Sequence, residues 1–469
     1  MLFPSSRTGA TRRIWELAWP AILTNLLQST VGLVDIKIVG SLGAPAVAAV
    51  TTGNRIFFVL QAVLMAVTAG TTALVARAWG GGRREEAARV TRTSLWLCIG
   101  VAGLMTPPAV LFADSLAGVF RLESGTVALS ATFMRWLSLF NVPFALALVL
   151  GTALRAAGDT RTPLWIGTAA NLLNVFLAYG LVYGAFGFPT LGVAGAALAN
   201  GIAFSFAGLV FLGLWLRGRL RVPLGPAGGD FQPGRIRQLV RIGTPAGLEQ
   251  AVFQSGFILF LWIVALYGTA PYAAYGIGVT ILSFSFLVGL GFSIATGTLV
   301  GQHLGAGDPE AAARSGWRGM WLSIGVMCVF GGAIVAAAGP IARFLIDDPE
   351  VVRLTVFFIY VLGSVQALMA IEFTLGGALR GAGDTRFPLW TVLSGLFVVR
   401  IGLAASFAWL KWPVEWIFAA LIGDYIVKAS MLTLRFRSGR WKTAIREPEG
   451  PLLSGAVAEV GAEVGEVEA

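Results

Sequence analysis

One stretch of this 469-residue chain occurs twice. Residues 151–165 read GTALRAAGDTRTPLW, and residues 376–390, 225 positions further on, read GGALRGAGDTRFPLW. The same spacing pairs Pro20 with Pro245, Gly43 with Gly268, Leu74 and Val75 with Leu299 and Val300, Gly80 with Gly305, and Gly82 with Gly307. It also pairs Glu85 with Glu310 and Arg89 with Arg314. A single spacing held over so much chain marks a duplicated unit. The fold must therefore contain two copies of one arrangement, and each copy must bury the same faces.

The solvent of that fold follows from its composition. AVILMFWYC residues make up 56% of the chain and charged residues 12%. A soluble domain carries roughly 45–50% apolar and about 25% charged residues. Too little charge is available to cover a water-facing surface, which excludes a soluble enzyme and a disordered chain. The apolar runs are continuous rather than alternating, so they read as helices and not as strands of a membrane barrel. The 60 glycines suit helices packed closely in lipid. Twelve spans are expected. Six lie near 14–39, 46–73, 94–113, 131–153, 163–184 and 192–216, and six near 242–267, 271–299, 319–339, 354–378, 388–410 and 415–435. The first run is too long for a cleaved signal peptide.

The class is thus an all-α polytopic membrane protein of twelve transmembrane helices. Six is an even number, so both copies insert the same way round. They form parallel six-helix repeats related by a pseudo-two-fold axis along the membrane normal. Such repeats place a substrate between the halves near the midplane. The expected organisation is an N-terminal lobe over 1–216, a cytoplasmic linker over 217–241, a C-terminal lobe over 242–437 and a disordered cytoplasmic tail over 438–469. The stretch Pro223–Pro233 reads as a flexible joint.

Most of the 34 Lys and Arg fall on one side, among them Arg7, Arg12, Arg13, Arg77, Arg83, Arg84, Arg155, Arg217 and Arg241. Arg121, Arg135, Arg343, Arg353 and Lys411 fall on the other. This bias sets both termini in the cytoplasm and the protein in the plasma membrane. It also accounts for the net charge of +10 without nucleic acid. Cys98 and Cys328 lie inside apolar runs and read as small buried hydrophobes. His303 has no His or Cys neighbour in sequence, so no metal site is expected.

The repeated LRxAGDTRxP has a structural reading. Gly158 and Gly383 are suited to φ > 0 at a helix end, Asp159 and Asp384 to capping the next helix, and Pro163 and Pro388 to its first turn. A tight helix hairpin accounts for the motif, and no substrate site is read from it.

Taken with VDIKIVGSLGAPAVAAV (34–50), AGTTALVARAWGGG (69–82), NLLNVFLAYG…LGVAGAALAN (171–200) and TLVGQHLGAGDPEAAAR (298–314), this motif makes the chain resemble the multidrug and toxic compound extrusion (MATE) family from Trp15 to Arg437. The resemblance implies a twelve-helix, two-lobed exporter. Such proteins expel cationic or amphipathic drugs and take up H⁺ or Na⁺ in exchange.

Ionisable groups at membrane depth mark ion or substrate paths. The family keeps an acid in the pattern VDxxxxG as the coupling site of the N-terminal lobe, and here that acid is Asp35. A carboxyl in low dielectric takes up a proton or a cation readily; the alternative for Asp35 is an ion pair with Lys37 or Arg55. Asn171 and Asn174 lie three apart, on one helix face. Asn174 matches an Asn that lines the N-lobe cavity in the family. Four residues later this chain has Ala178 where DinF-like members carry an Asp. Gln28 and Asn200 are assigned to the same cavity, with interhelical hydrogen bonding as their alternative.

In the second half, Glu249 and Glu372 lie in the helices where NorM-like members use acids, each offset by about a turn, with Phe253 and Gln254 at the deeper level. Glu249, Gln254 and Glu372 are read as substrate-cavity residues, and the two acids have pairing with Arg400 or Lys428 as an alternative. Asp424 and Lys428, four apart, read as an ordinary ion pair.

No GxxxxGK[ST] occurs, so ATP does not drive this chain directly. The function expected is a monomeric, non-enzymatic antiporter with no cofactor beyond its coupling ion. Its ligands are lipophilic or cationic small molecules and membrane lipid. A lipid-linked oligosaccharide flippase of the same superfamily, or a channel, is the alternative.

Overall fold

The computed structural model describes residues 7–120, 122–225, 228 and 230–445. Arg121 and residues 446–469 of the tail expected over 438–469 lie outside the described residues. The first lobe runs α1 (Arg7–Gly40), α2 (Ala44–Gly80), α3 (Arg84–Leu111), α4 in two pieces (Ser124–Ser138 and Asn141–Ala156), α5 (Arg161–Tyr183) and α6 (Gly192–Leu216). The second runs α7 (Pro233–Ala265), α8 (Thr269–Gly305), α9 (Pro309–Ala336), α10 in two pieces (Pro349–Ser364 and Gln366–Ala382), α11 (Arg386–Trp409) and α12 (Val414–Arg437). Ten of these are long and apolar enough to cross a membrane singly, and the two bent pairs bring the total to twelve. The surface matches that solvent: Trp165 and Trp390, equivalent residues of the repeat, are 70% and 62% exposed. Tryptophans of this kind sit at a membrane interface.

The repeat is visible helix by helix. α2 and α8 are both 37 residues long, and α3 and α9 both 28. α4 and α10 bend by 56° and 52° at the same point, where the sequence reads unbroken spans. Pro143 follows the first break and cannot donate to the preceding turn. Gly363 and Ser364 precede the second, and Ser364 Oγ donates back to the Val361 carbonyl at 2.7 Å. Each break is followed by a buried amide. Gln61 donates to Asn141 at 2.9 Å, and Gln366 donates to Ser285 at 3.1 Å.

The repeated motif forms the two hairpins. Gly158 and Gly383 have φ of 82° and 87°, a conformation that a Cβ disfavours. Asp159 caps α5, accepting from Thr162 N at 3.0 Å and Thr162 Oγ1 at 2.7 Å. Asp384 does not repeat this role. Its carboxylate instead accepts from Arg435 Nε of α12 at 2.8 Å, and the equivalent position in the first half is Val210.

The lobes are joined where basic residues cluster, called here the basic end. A Cβ on Gly80 would overlap the Gln302 carbonyl, and one on Gly305 would overlap the Arg77 carbonyl. These are the same contact seen from either side of the pseudo-two-fold axis, with α2 and α8 crossing backbone to backbone. Gly243 of α7 lies against Ala66 of α2, and Gly291 of α8 lies against Ala18 and Ile22 of α1, again as symmetry mates. Gln302 Nε2 donates to the Ala156 carbonyl at 2.8 Å, and Thr298 Oγ1 to that of Arg155 at 3.2 Å.

Each lobe's first helix starts in the other lobe. Ile14, Leu17 and Ala18 belong to the core built around Phe292 and Phe358, whereas Leu239 and Ile242 belong to that of Val149 and Leu154. The linker expected over 217–241 is accordingly shorter, because α7 begins at Pro233. It is also pinned rather than loose. Arg92 donates from Nε to Asp230 at 2.8 Å, and Thr93 Oγ1 donates to the Asp230 carbonyl at 2.6 Å. The first residues of the expected disordered tail are ordered too. Trp441 is fully buried, stacks on Phe436 with ring centroids 4.6 Å apart and donates to the Phe436 carbonyl at 2.8 Å.

A side chain at the α2–α8 crossing should oppose closure at the basic end. Overpacking costs about 1–3 kcal/mol, which is about a 5–150-fold shift between open and closed lobes. Gly305→Val is expected to lengthen spin-label distances across the basic end, measured by double electron–electron resonance, without loss of membrane insertion. An unchanged distance distribution would show that the crossing does not set the closed state.

Candidate functional site

α1 brings Asp35 to the far half of the first lobe, between α5 and α6. Its end is fixed to α5 by Tyr183, whose hydroxyl donates to the Ile38 carbonyl at 2.8 Å. Ser41 Oγ lies 2.8 Å from that hydroxyl. The Asp35 carboxylate accepts from Asn174 Nδ2 at 3.0 Å (Oδ2) and 3.3 Å (Oδ1), and from Asn200 Nδ2 at 3.3 Å. Three residues from three helices, each separated from the next in sequence, therefore meet at one point.

Asn174 is buried, and its Oδ1 has no hydrogen-bond partner. Asp35 is half-buried. Among the described residues no Lys or Arg pairs with it. The ion pair with Lys37 or Arg55 does not form, and both cations are exposed. Ala178, one turn along α5 from Asn174, is buried and adds no second acid. Asn171 and Gln28 do not join the cluster: Asn171 is half-buried one turn away and Gln28 is exposed, and neither bonds to the carboxylate. Two neutral amide donors orient a carboxylate without neutralising it. Such a group is chemically suited to hold one proton or one small cation.

The second lobe holds a different chemistry. Glu249 Oε1 lies 2.7 Å from Arg380 Nη1, and Arg380 also donates to Ser293 Oγ at 3.3 Å. Glu372 Oε1 lies 2.8 Å from Lys428 Nζ, which is 3.3 Å from Asp424 Oδ2. Asp424 pairs with Arg400. Glu372 thus takes the Lys428 pairing that the sequence left open. Glu249 takes Arg380, a partner that the sequence hides because the repeated motif accounts for Arg380 as part of a hairpin. The available signal was the repeat itself, since Arg380 recurs as Arg155 whereas Glu249 has Thr24 as its equivalent.

A cavity of about 280 Å³ lies beside this network. Phe253, Gln254, Phe257, Tyr275, Phe286 and Tyr425 contribute to its wall, as does Arg400. Gln254 therefore faces a cavity, whereas Glu249 and Glu372 are absent from its lining. The aromatic residues were not assignable from sequence, because nothing in a chain with 31 Phe separates a cavity wall from a lipid face.

Comparison with known proteins places this geometry in context. The MatE family model matches residues 20–180 and 245–405, the two halves in register. A probable multidrug resistance protein NorM from Thermotoga maritima is 32% identical over 92% of this chain and 93% of its own. The multidrug resistance protein PmpM from Pseudomonas aeruginosa is 26% identical over 86% of this chain and 85% of its own. Among solved structures, a MATE transporter from Vibrio cholerae aligns with a TM-score of 0.85 at 19% identity, covering 93% of this chain and 99% of that one. A MOP superfamily transporter from Pyrococcus furiosus aligns with a TM-score of 0.83 at 20% identity, covering 92% and 95%. At these identities the structures attest the fold.

Breaking one member of the buried ion network should unfold the second lobe more readily than the first. Removing one partner of a buried pair costs about 3–5 kcal/mol. Lys428→Met is expected to lower the melting temperature of the purified protein clearly, and the double variant Lys428→Met with Glu372→Gln to recover part of it. Equal melting of wild type and Lys428→Met would remove the network from the stability of the lobe.

Proposed function

Because this chain belongs to the MATE family, we propose that it is a secondary active antiporter that exports cationic or amphipathic compounds in exchange for H⁺ or Na⁺. The observation that carries the reading is the Asp35 carboxylate, held by Asn174 and Asn200 at 3.0–3.3 Å with no cation paired to it among the described residues. An acid that already had a salt-bridge partner would have little to gain from a proton or Na⁺. This one is oriented by neutral donors and gains a counter-charge when either binds.

Coupling then follows from geometry. α1 carries Asp35 at its far end and packs Ile14 and Leu17 into the other lobe at its basic end. Loading Asp35 changes how α1 sits against α5 and α6, and the same rigid helix is a contact between the lobes. Rocking about the α2–α8 crossing exposes the space between the lobes first to one side and then to the other. The protein acts as a monomer in the plasma membrane with both termini cytoplasmic, in line with the distribution of Lys and Arg. It uses no cofactor besides the coupling ion.

The test is reconstitution in proteoliposomes with an imposed proton or sodium gradient. Ethidium, a lipophilic aromatic cation, is expected to move against its gradient under one of the two ion gradients, which identifies the coupling ion, and to stop when that gradient is collapsed. Asp35→Asn should abolish this transport while leaving the melting temperature within a few degrees of wild type. Asn174→Ala removes one bond to a charged group, worth about 1.5–3 kcal/mol, and should shift the ion concentration at which transport is half-maximal by roughly ten- to a hundredfold. Gradient-driven export by Asp35→Asn at the wild-type rate would overturn the assignment.

A further inference from the structure

The repeat makes the two lobes comparable position by position, and at the ion site they differ in sign. The equivalents of Asp35, Asn174 and Asn200 are Phe260, Val399 and Tyr425. The acid and both of its amides have become apolar or aromatic residues. The reverse holds one residue further along: Arg400 stands where the first half has Val175. Its guanidinium carbon lies 5.7 Å from the Phe260 ring and 5.5 Å from the Tyr425 ring, so it sits among the residues that replace the acid site. The backbone differs as well. Leu393–Ile401 in α11 is π-helical, whereas its counterpart α5 is regular α-helix throughout. Within that segment Gly395 lets α11 close onto Asp424 and Lys428. Local π-helix is uncommon and recurs at functional sites.

Arg400 is the charged residue that lines the cavity of about 280 Å³. It is 6% exposed. It pairs with Asp424, which is fully buried and forms no part of the wall. Its Nε has no hydrogen-bond partner. The other buried charges do not alter this balance. Glu249 is matched by Arg380 and Glu372 by Lys428, and none of these four lines the cavity. What the cavity presents is therefore aromatic and aliphatic faces, the amide of Gln254, Ser283 and a guanidinium with donor capacity to spare. A lipophilic cation entering it meets a like charge. An acidic group meets a planar donor fork, with rings beside it to take an aromatic body.

We propose that the second lobe contains a binding subsite for aromatic compounds that carry a carboxylate, with Arg400 as the residue that recognises the acidic group. The export of such compounds rests on the antiport reading above, whereas their binding does not. The transporter then has an acid for its coupling ion in one lobe and a base for substrate in the other, in equivalent regions of the two repeats but at non-equivalent positions.

Binding of 1-naphthaleneacetate and of its neutral amide, 1-naphthaleneacetamide, to the detergent-solubilised full-length protein by isothermal titration calorimetry tests the proposal. The carboxylate is expected to bind at least tenfold more tightly than the amide. Arg400→Lys keeps a cation beside Asp424 but loses the fork, and should cut that ratio several-fold. Ser283→Trp fills the cavity from α8 without touching an ion pair, and should abolish binding of both probes. Asp35→Asn should keep the full preference even where transport is lost, which separates failure of this site from failure of the coupling assignment. Equal affinity for the two probes in the wild type, tighter binding of 1-naphthylmethylammonium, a preference unaltered in Arg400→Lys, or binding unaltered in Ser283→Trp would overturn it.

Discussion

Backbone meets backbone where α2 crosses α8, and the two lobes hang from that contact. In lipid, apolar side chains gain little by leaving the solvent for a neighbouring helix, so lobes are held by close van der Waals approach and by hydrogen bonds. Gly80 and Gly305 supply the first, because neither carries a side chain to hold the helices apart. Gln302 and Thr298 supply the second by donating to the end carbonyls of α4. Gly243 against Ala66, and Gly291 against Ala18 and Ile22, extend the same seam along the basic half of the bundle. A contact made of small residues and a few hydrogen bonds can be opened at modest cost, which a two-lobed carrier requires.

The first helix of each lobe links this seam to the interior. α1 and α7 both begin in the core of the opposite lobe and end in their own. Events at Asp35 on α1 are therefore mechanically connected to the lobe interface. α7 makes the matching connection for the second lobe, where Gln254 and Phe257 face the aromatic cavity. Duplication gave both halves the same levers, and later substitution gave them different chemistry. An acid held by neutral amides, with no cation paired to it among the described residues, lies in the first half, and a network of ion pairs with one guanidinium turned to a cavity lies in the second.

Several polar groups had partners that the sequence concealed. Asp159 and Asp384 occupy identical motifs, yet one caps a helix and the other pairs with Arg435 from a helix fifty residues away. Arg380 looks like a loop cation and serves as the counter-ion of Glu249. The expected joint around Asp230 is tied down by Arg92, and Trp441 in the expected loose tail is buried. In each case the deciding partner came from a distant element whose rotation and depth no local pattern revealed.

The sequence by itself determined the duplication, the lipid solvent, the number of spans and the family. These depend on composition and on regular spacing, both of which are properties of the linear chain. It also singled out Asp35, Asn174 and Asn200, because a polar residue in an apolar span is conspicuous wherever it points. The tertiary structure alone decided which of these residues meet, which acids are already paired and which way Arg400 faces. The physical reason lies in the solvent. A helix that is apolar all round can sit in lipid at any rotation about its axis, so its sequence carries no amphipathic stripe to say which side is inside. That rotation is fixed by packing between helices, and with it the identity of every buried partner.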